Sequence, residues 1–432
     1  MCDSSHHFLP KGWKSTTLGE VAECTLGGTP STEVPQFWGG CIPWMASGDV
    51  HLRRVYDVPG RITESGLAAS NATLTPPPAV AVGLAGQGKT RGTVALTLCT
   101  LSTNQSIALL CGNATELQTE YLFHNLDLRY EELRARSSGG GRGGLSKTIL
   151  TSIPIDLPQI DEQSRITQIL DTLDTAIRET EAIIAKLKAV KQGMLHDLLT
   201  RGLDANGELR PPQAEAPHLY KESPLGWIPK EWETKQLGEL AEVSRGKFTH
   251  RPRNDPAFFG GLYPFIQTGD VAAAHGEYIS TYSQTLSERG ITVSQEFPAG
   301  TIAVTIAANI ADTAILACPM YFPDSVVGVV ACPGNNIRFI ELSIRQAKRT
   351  LDARAPQSAQ KNINLQDLRP LIVALPNKPE QDKIAKHYEA IQSRIIKEQI
   401  FADKLRKKKS GLMDDLLTGR VRVTPLLEGS PP

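Results

Sequence analysis

The chain has 432 residues, room for two globular domains of roughly 100 to 200 residues each plus connecting helices. Its 46 Lys and Arg balance 46 Asp and Glu, so no global positive field draws it to nucleic acid, and any basic surface must be a local patch. No apolar run approaches the ~20 residues of a membrane span, and the opening residues, with Asp3, His6 and His7 ahead of Lys11, lack a signal-peptide pattern, so the expected setting is cytoplasmic with no membrane partner. The cysteines (2, 24, 41, 99, 111, 318 and 332) show no paired metal spacing and read as reduced, mostly buried thiols.

From 13 to 157 the sequence is broken every few residues by Gly, Pro, Ser or Asn, with short apolar runs at 79–84, 94–98 and 107–110. That pattern predicts short strands joined by turns, with a helix near 120–136. The texture then changes: Ile166, Ile169, Leu170, Leu173, Ile177, Ile184, Leu187, Met194 and Leu198 recur at three- and four-residue intervals, predicting one helix over 161–199. Such a helix spans roughly 55 Å, more than one small domain needs for its core. The stretch 202–229 contains Pro211, Pro212, Pro217, Pro224 and Pro229 and reads as an extended linker long enough to turn back. From 232 to 375 the strand-and-turn texture returns, with strands expected at 301–307, 314–318 and 325–331 and a helix near 340–354. Ile384, Tyr388, Ile391, Ile395, Leu405, Leu412 and Leu416 then define a second long helix over 380–417.

The two halves share wording as well as texture. Trp13, Leu18, Gly19 and Glu20 recur as Trp232, Leu237, Gly238 and Glu239 (232 − 13 = 219), and Gly39, Gly40, Pro43, Gly48, Asp49 and Val50 recur as Gly260, Gly261, Pro264, Gly269, Asp270 and Val271 (270 − 49 = 221). Lys186, Leu187, Lys191, Gly193 and Asp197 to Thr200 recur as Lys404, Leu405, Lys409, Gly411 and Asp415 to Thr418 (409 − 191 = 218). The repeated unit is therefore a whole domain with its helix. The expected fold is α+β: two β-rich domains in tandem, each followed by a long helix, the helices paired as an antiparallel coiled coil with pseudo-two-fold symmetry. The expected boundaries are a first domain at 1–158, a helix at 159–200, a linker at 201–229, a second domain at 230–376, a helix at 377–420 and a flexible tail at 421–432.

The search for catalytic chemistry returns negatives. The run from Gly86 to Thr90 has the wrong spacing for a phosphate-binding loop, and 139–144 is glycine-rich with a single cation. No His-Glu-x-x-His or clustered His/Cys set suggests a metal. Thr75 to Pro78 has the prolines but neither the amide nor the aromatic of a base-methylating tetrad, and no paired-carboxylate nuclease motif stands out.

The halves close alike as well: Leu157, Pro158, Glu162, Gln163 and Ile166 recur as Leu375, Pro376, Glu380, Gln381 and Ile384. With the opening Pro-x-x-Trp and Leu-Gly-Glu, the Gly-Asp-Val, and a helix ending in Asp-Leu-Leu-Thr, this order of anchors resembles the specificity subunit of type I restriction-modification enzymes over essentially the whole chain. The loop Gly27 to Ser31 and the segment Ser358 to Ile363 also resemble pieces common in such subunits. The resemblance implies two target-recognition domains, each reading one half of a split, asymmetric double-stranded DNA target, and helices that act as ruler and docking platform. It implies two methyltransferase subunits and restriction/translocase subunits as partners. This chain would itself be non-catalytic and bind no cofactor, S-adenosylmethionine, ATP and Mg belonging to the partners. A DNA-acting enzyme in its own right is disfavoured by the missing tetrad; a coiled-coil scaffold with two protein-binding domains is the alternative that overall neutrality leaves open.

Arg, Lys, Gln and Asn offer the forked or bidentate groups that meet base edges, and Lys and Arg also meet phosphates. In the first domain the candidates are Thr29, Ser31, Ser47, Gln87, Lys89, Thr90, Arg91, Arg136 and Arg142; in the second, Arg245, Lys247, Arg251, Arg253, Gln267, Thr268, Asn309, Arg354, Gln357 and Lys361. Candidate docking positions on the helices are Leu173, Ile177, Ile184, Leu187, Ile391, Ile395, Leu405 and Leu412. The Gly-Asp pairs at 48–49 and 269–270, kept in both copies, are expected to hold the frame, as are Trp13 and Trp232.

Overall fold

The computed structural model describes residues 9–86, 88–136, 144–307, 310–354 and 362–428. Two compact units make it up: Met1–Ala182 with Gln399–Pro432, and Ile183–Glu398. Each long helix is thus divided near its middle, so a unit holds one domain and half of each helix rather than a domain with the helix that follows it.

In the first unit a five-stranded sheet runs in the order Ala22–Leu26, Ile107–Gly112, Ala79–Gly83, Val94–Thr97, Arg54–Val55. The second unit repeats that order with Ala241–Arg245, Val326–Ala331, Ile302–Thr305, Thr313–Leu316 and Tyr278–Ile279. The register repeats too: Ala22 faces Gly112, and Ala241 faces Ala331. Both faces of the central strands are covered, which is why they read as continuous apolar runs. Val80, Val82, Val94 and Leu96 point into the core shared with the helix Thr119–Leu128, while Ala79, Ala81, Ala95 and Leu109 meet Met45, Val50, Val55 and Leu101 on the other face. In the second unit Ile302, Val304, Ile315 and Val329 face the helix Ile337–Gln346, and Ala303, Ala314 and Val326 face Ile266, Val271 and Phe322. The helix expected near 120–136 is two helices, Thr119–Leu128 and Tyr130–Arg136, and that near 340–354 is Ile337–Gln346 and Lys348–Arg354.

The repeated anchors have local jobs. Leu-Gly-Glu forms a one-turn helix in each copy, its Glu accepting a backbone N–H just ahead of the turn: Glu20 from Thr17 at 3.0 Å and Glu239 from Gln236 at 2.7 Å. Gly-Asp-Val does the same, with Asp49 accepting from Ala46 at 2.9 Å and Asp270 from Gln267 at 2.7 Å, above a fully buried Val50 or Val271. These are the N-terminal caps that a short helix needs to satisfy its free donors. Trp13 and Trp232 are buried as expected.

The long helices are Ile160–Thr200 and Lys378–Leu417. In the first unit Ile166 and Leu170 share a core with Met413, Leu416 and Leu417, while Lys409 donates to Asp174 at 2.5 Å and Arg406 to Glu181 at 2.5 Å. One residue number rises as its partner's falls, so the segments run antiparallel. In the second unit Leu198 and Leu199 meet Ile384 and Tyr388, and Lys191 donates to Gln392 at 2.5 Å, again antiparallel. Since 191 + 218 = 409 and 174 + 218 = 392, the two lysine contacts are the same repeat position used twice.

Two expectations need correction. The 201–229 stretch is folded, not extended: Leu203, Ala216, Tyr220 and Ile228 are buried, and Tyr220–Ser223 pairs with Gly226–Pro229 as a hairpin. Its prolines alternate with apolar residues that find a core. The expected flexible tail at 421–432 is also anchored as far as it is described, with Val423 buried and a short helix at Thr424–Glu428.

Candidate nucleic-acid interface

In the first unit the candidate residues fall into two loops and a turn. Thr29 and Ser31 are exposed; the Thr29 hydroxyl donates to the Gln105 side chain, and Ser31 lends its carbonyl to the Trp38 indole N–H at 3.1 Å. Trp44 donates to Gly28 O at 3.0 Å and meets Trp38 edge-on with centroids 5.0 Å apart, so this loop stands on a pair of indoles. Ser47 opens the turn Ser47–Leu52, which leads to His51.

The second loop carries Lys89, Thr90 and Arg91 between the strands Ala79–Gly83 and Val94–Thr97. The helix Tyr130–Arg136 braces it from behind: Arg134 donates to Gly88 O at 2.7 Å and to Arg91 O at 3.3 Å, and the Tyr130 hydroxyl donates to Lys89 O at 3.2 Å. The Arg134 guanidinium lies over the Tyr130 ring, 5.5 Å from its centroid. His51 meets the Thr90 hydroxyl at 3.2 Å. With the backbone held by these contacts, the exposed Lys89 side chain is left to project. Lys89, Arg134 and Arg53, the last paired with Asp127 at 2.6 Å, surround an open cleft of about 630 Å³ together with His51, with Glu131 the one acid among the lining residues. Cations around a groove that a backbone phosphate could enter are the electrostatic requirement of a nucleic-acid contact. Arg136 pairs with Glu132 at 2.8 Å, and Glu132 is held below the ordinary carboxylate range first by its hydrogen bond from Arg129.

In the second unit Arg245 and Lys247 are exposed on either side of the buried Gly246, and Phe248 enters an aromatic cluster with Phe258, Phe265 and Tyr321. Arg251 donates to Phe248 O and His250 O, at 2.9 and 2.7 Å, and Arg253 grips both oxygens of Asp324 at 2.9 and 3.0 Å. These two arginines are therefore committed to the chain's own acceptors and shape the loop. Gln267 stands just ahead of the helix Thr268–Ala274, and gives its backbone N–H to Asp270 and its side-chain N–H to Gln284 at 3.1 Å. The two units differ in one counterpart loop: 88–91 carries Lys89 and Arg91, whereas 306–312 has no Lys or Arg and ends at Asp312, which pairs with Lys348. Gln87, Arg142, Asn309, Gln357 and Lys361 lie outside the described residues, as does the side chain of Arg354.

The proposed docking positions face inward. Ile184 and Ile395 are buried, and Leu173, Ile177, Leu187, Ile391, Leu405 and Leu412 are partly buried, because the stripe that reveals a helix by its period is the stripe packed against its own unit. The apolar side chains left exposed on these helices include Ile183, Val190, Ile396, Ile400 and Phe401.

Sequence reasoning also missed the work done by the closing Glu-Gln pair. Gln163, fully buried, accepts from Gln118 N at 2.9 Å and donates to Glu116 O and Pro158 O at 2.8 and 3.0 Å. Gln381 accepts from Asn336 N at 2.8 Å and donates to Pro376 O at 3.0 Å, at the same 45-residue separation. Each amide ties the start of a long helix to the start of the helix that covers the sheet. Recurrence in both halves was the available signal.

Among the described residues, His124, Asp171 and Asp174 form the single cluster with metal-ligand potential, and its carboxylates already meet Arg54 and Lys409. It reads as an ion-pair network, not a metal centre.

A frame built twice around different surface loops, one of them cationic, defines a tandem recognition protein. The sequence model described as type I restriction modification DNA specificity domain matches residues 10–189 and again 229–402. The chain belongs to that family, with two specificity domains in tandem, and serves as a non-catalytic specificity subunit that works with DNA and other restriction-modification subunits. The type I restriction enzyme MjaVIII specificity subunit of Methanocaldococcus jannaschii is 26% identical over 323 residues, 71% of each chain. The S subunit of a type I system from M. genitalium shares the fold with a TM-score of 0.61 at 14% identity, over 96% of this chain and 98% of that one. A chain from a structure concerned with complex assembly and conformational transition of the type I system matches with a TM-score of 0.58 at 16% identity, covering 96% and 100%.

Proposed function

We propose that each unit reads one half of a bipartite, asymmetric double-stranded DNA target. The first does so through the 29–31 loop, the Ser47 turn and the 88–91 loop, the second through Arg245, Lys247 and the Gln267–Thr268 turn. What carries the reading is the contrast between a shared frame and different loops: Asp49 and Asp270 cap the corresponding turns, while the neighbouring loop carries Lys89 and Arg91 in one unit and no Lys or Arg in the other. Base edges in the major groove distinguish all four pairs, so two unlike loop sets select two unlike half-sites, with phosphate contacts setting register.

The chain brings no chemistry of its own and binds no S-adenosylmethionine, ATP or Mg. It assembles in the cytoplasm with two methyltransferase subunits, which supply modification, and with restriction/translocase subunits. The exposed Ile400 and Phe401 of the second long helix offer apolar surface for that assembly. Purification with the cognate methyltransferase, followed by sequencing of methylated bases on random DNA, tests the reading. One split motif methylated only by the mixture is the expected result. Methylation by this chain alone would overturn it, and a mixture without sequence preference would favour the scaffold alternative.

A further inference from the structure

Both units close with the same three-way contact, built from arginines that do not correspond in the repeat. In the second unit the chain leaves the first long helix at Thr200 and turns at Gly202, whose φ of +65° lies in the left-handed region; a Cβ there would come within 2.4 Å of the Trp232 ring. Arg210 then reaches back. Its guanidinium grips both oxygens of Glu380, at 2.6 and 3.1 Å, and also donates to Arg201 O at 3.1 Å and to Glu231 at 2.9 Å. The Glu380 carboxylate accepts a further bond from Leu203 N at 2.8 Å. Arg210 and Glu380 side chains are 8% and 7% exposed.

The first unit repeats this after the second long helix. Gly419, at φ +70°, abuts Pro10 and the Trp13 ring. Arg422 grips both oxygens of Glu162 at 2.7 Å each, donates to Lys11 O at 2.7 Å and lies over the Trp13 ring at 5.9 Å. Glu162 is 2% exposed. The glycines lie within one residue of the repeat displacement of 218 that the helices keep (419 − 202 = 217), whereas the arginines are six residues off it (422 − 210 = 212). One contact reached by two chain paths is an arrangement that the fold requires twice.

Each arginine joins the start of one long helix, the segment that follows the other, and the opening of the recognition domain beside its tryptophan. A bidentate guanidinium–carboxylate pair fixes orientation as well as distance, and burial of both glutamates keeps water from competing for their carboxylates, although Arg422 itself stays 27% exposed. We infer that Arg210 and Arg422 are positioning residues for DNA recognition: each locks the base of one domain onto the helix pair of its unit and so fixes the direction in which the reading loops are presented. This rests on the bipartite reading proposed above.

The test uses the full chain assembled with its methyltransferase, carrying Arg422→Gln or Arg210→Gln in one series and Arg422→Lys or Arg210→Lys in another. Lysine keeps the charge but loses the fork, so it carries the test wherever a glutamine variant fails to fold. The readout is the methylated motif set on random DNA, sorted by half-site sequence and by spacer length. The expected result is that preference for the native spacer over spacers one base pair longer or shorter falls by about tenfold, the discrimination that one good base contact supplies. The charge-exchanged pair Glu162→Arg with Arg422→Glu should restore part of that preference. Variants that methylate less DNA but keep spacer and half-site preferences unchanged would overturn the inference and leave bipartite reading intact. An unsubstituted complex lacking a split motif would instead remove the reading on which it rests.

Discussion

Replacing Gln163 by Leu keeps most of the side-chain volume and removes every hydrogen bond that the amide makes. The side chain is fully buried and serves three backbone groups: Gln118 N at 2.9 Å, Glu116 O at 2.8 Å and Pro158 O at 3.0 Å. A buried group left without a partner costs about 1–3 kcal/mol. The N–H has no second option and bears the full cost, whereas each carbonyl keeps another lone pair for a neighbouring donor, so the sum is roughly 3 kcal/mol. For a unit of about 200 residues, 1 kcal/mol lowers the melting temperature by about 2–4 °C, which gives a fall of roughly 6–12 °C. Differential scanning calorimetry of the full chain, analysed as separate transitions because two units need not unfold together, measures it. Gln381→Leu, which severs the corresponding bonds to Asn336 N and Pro376 O, should lower the other transition by a similar or slightly smaller amount. A shift below about 2 °C for Gln163→Leu would refute the reasoning, since it would mean that water or a local shift replaces the amide.

Lys89→Ala should weaken DNA binding across all sequences and lower the slope of log affinity against log salt by about 1, checked by anisotropy titration at several salt concentrations; an unchanged slope would rule out a phosphate contact. Arg134→Ala should weaken binding by loosening the 88–91 backbone, and its effect should be coupled to that of Lys89→Ala. A double-mutant cycle additive within about 0.5 kcal/mol would contradict the bracing role. Asp171 is held below its ordinary value of 3.8: burial pushes it up, but the hydrogen bond from His124 and the neighbouring charges of His124 and Arg54 outweigh burial. A folded-state pKa below the unfolded one gives stability that is present above about pH 4 and lost as pH falls through the folded value. Wild type should therefore lose melting temperature more steeply than Asp171→Asn between pH 5 and pH 2, and parallel profiles would refute the assignment.

Much of this architecture is legible in the amino-acid order because its causes are local. The long helices show as three- and four-residue spacing, the capped turns as Leu-Gly-Glu and Gly-Asp-Val, and the doubled frame as recurrence of those same words. The central strands show as short apolar runs because both faces of the sheet are covered. Family membership follows from the order of these anchors, without any contact being known.

What only the tertiary structure decided depends on where distant chain meets. Arg422 and Glu162 are 260 positions apart, Arg210 and Glu380 170; the two glutamates recur in the repeat, but the arginines share no periodicity or repeat position that would mark them as their partners. The same is true of Arg134 behind the 88–91 loop, and of Arg251 and Arg253, whose charge suggested DNA but whose partners are Phe248 O, His250 O and Asp324. Composition and spacing report which groups a chain carries and how often; which acceptor a guanidinium finds is set by the path of the backbone, and in this protein that path was visible only once folded.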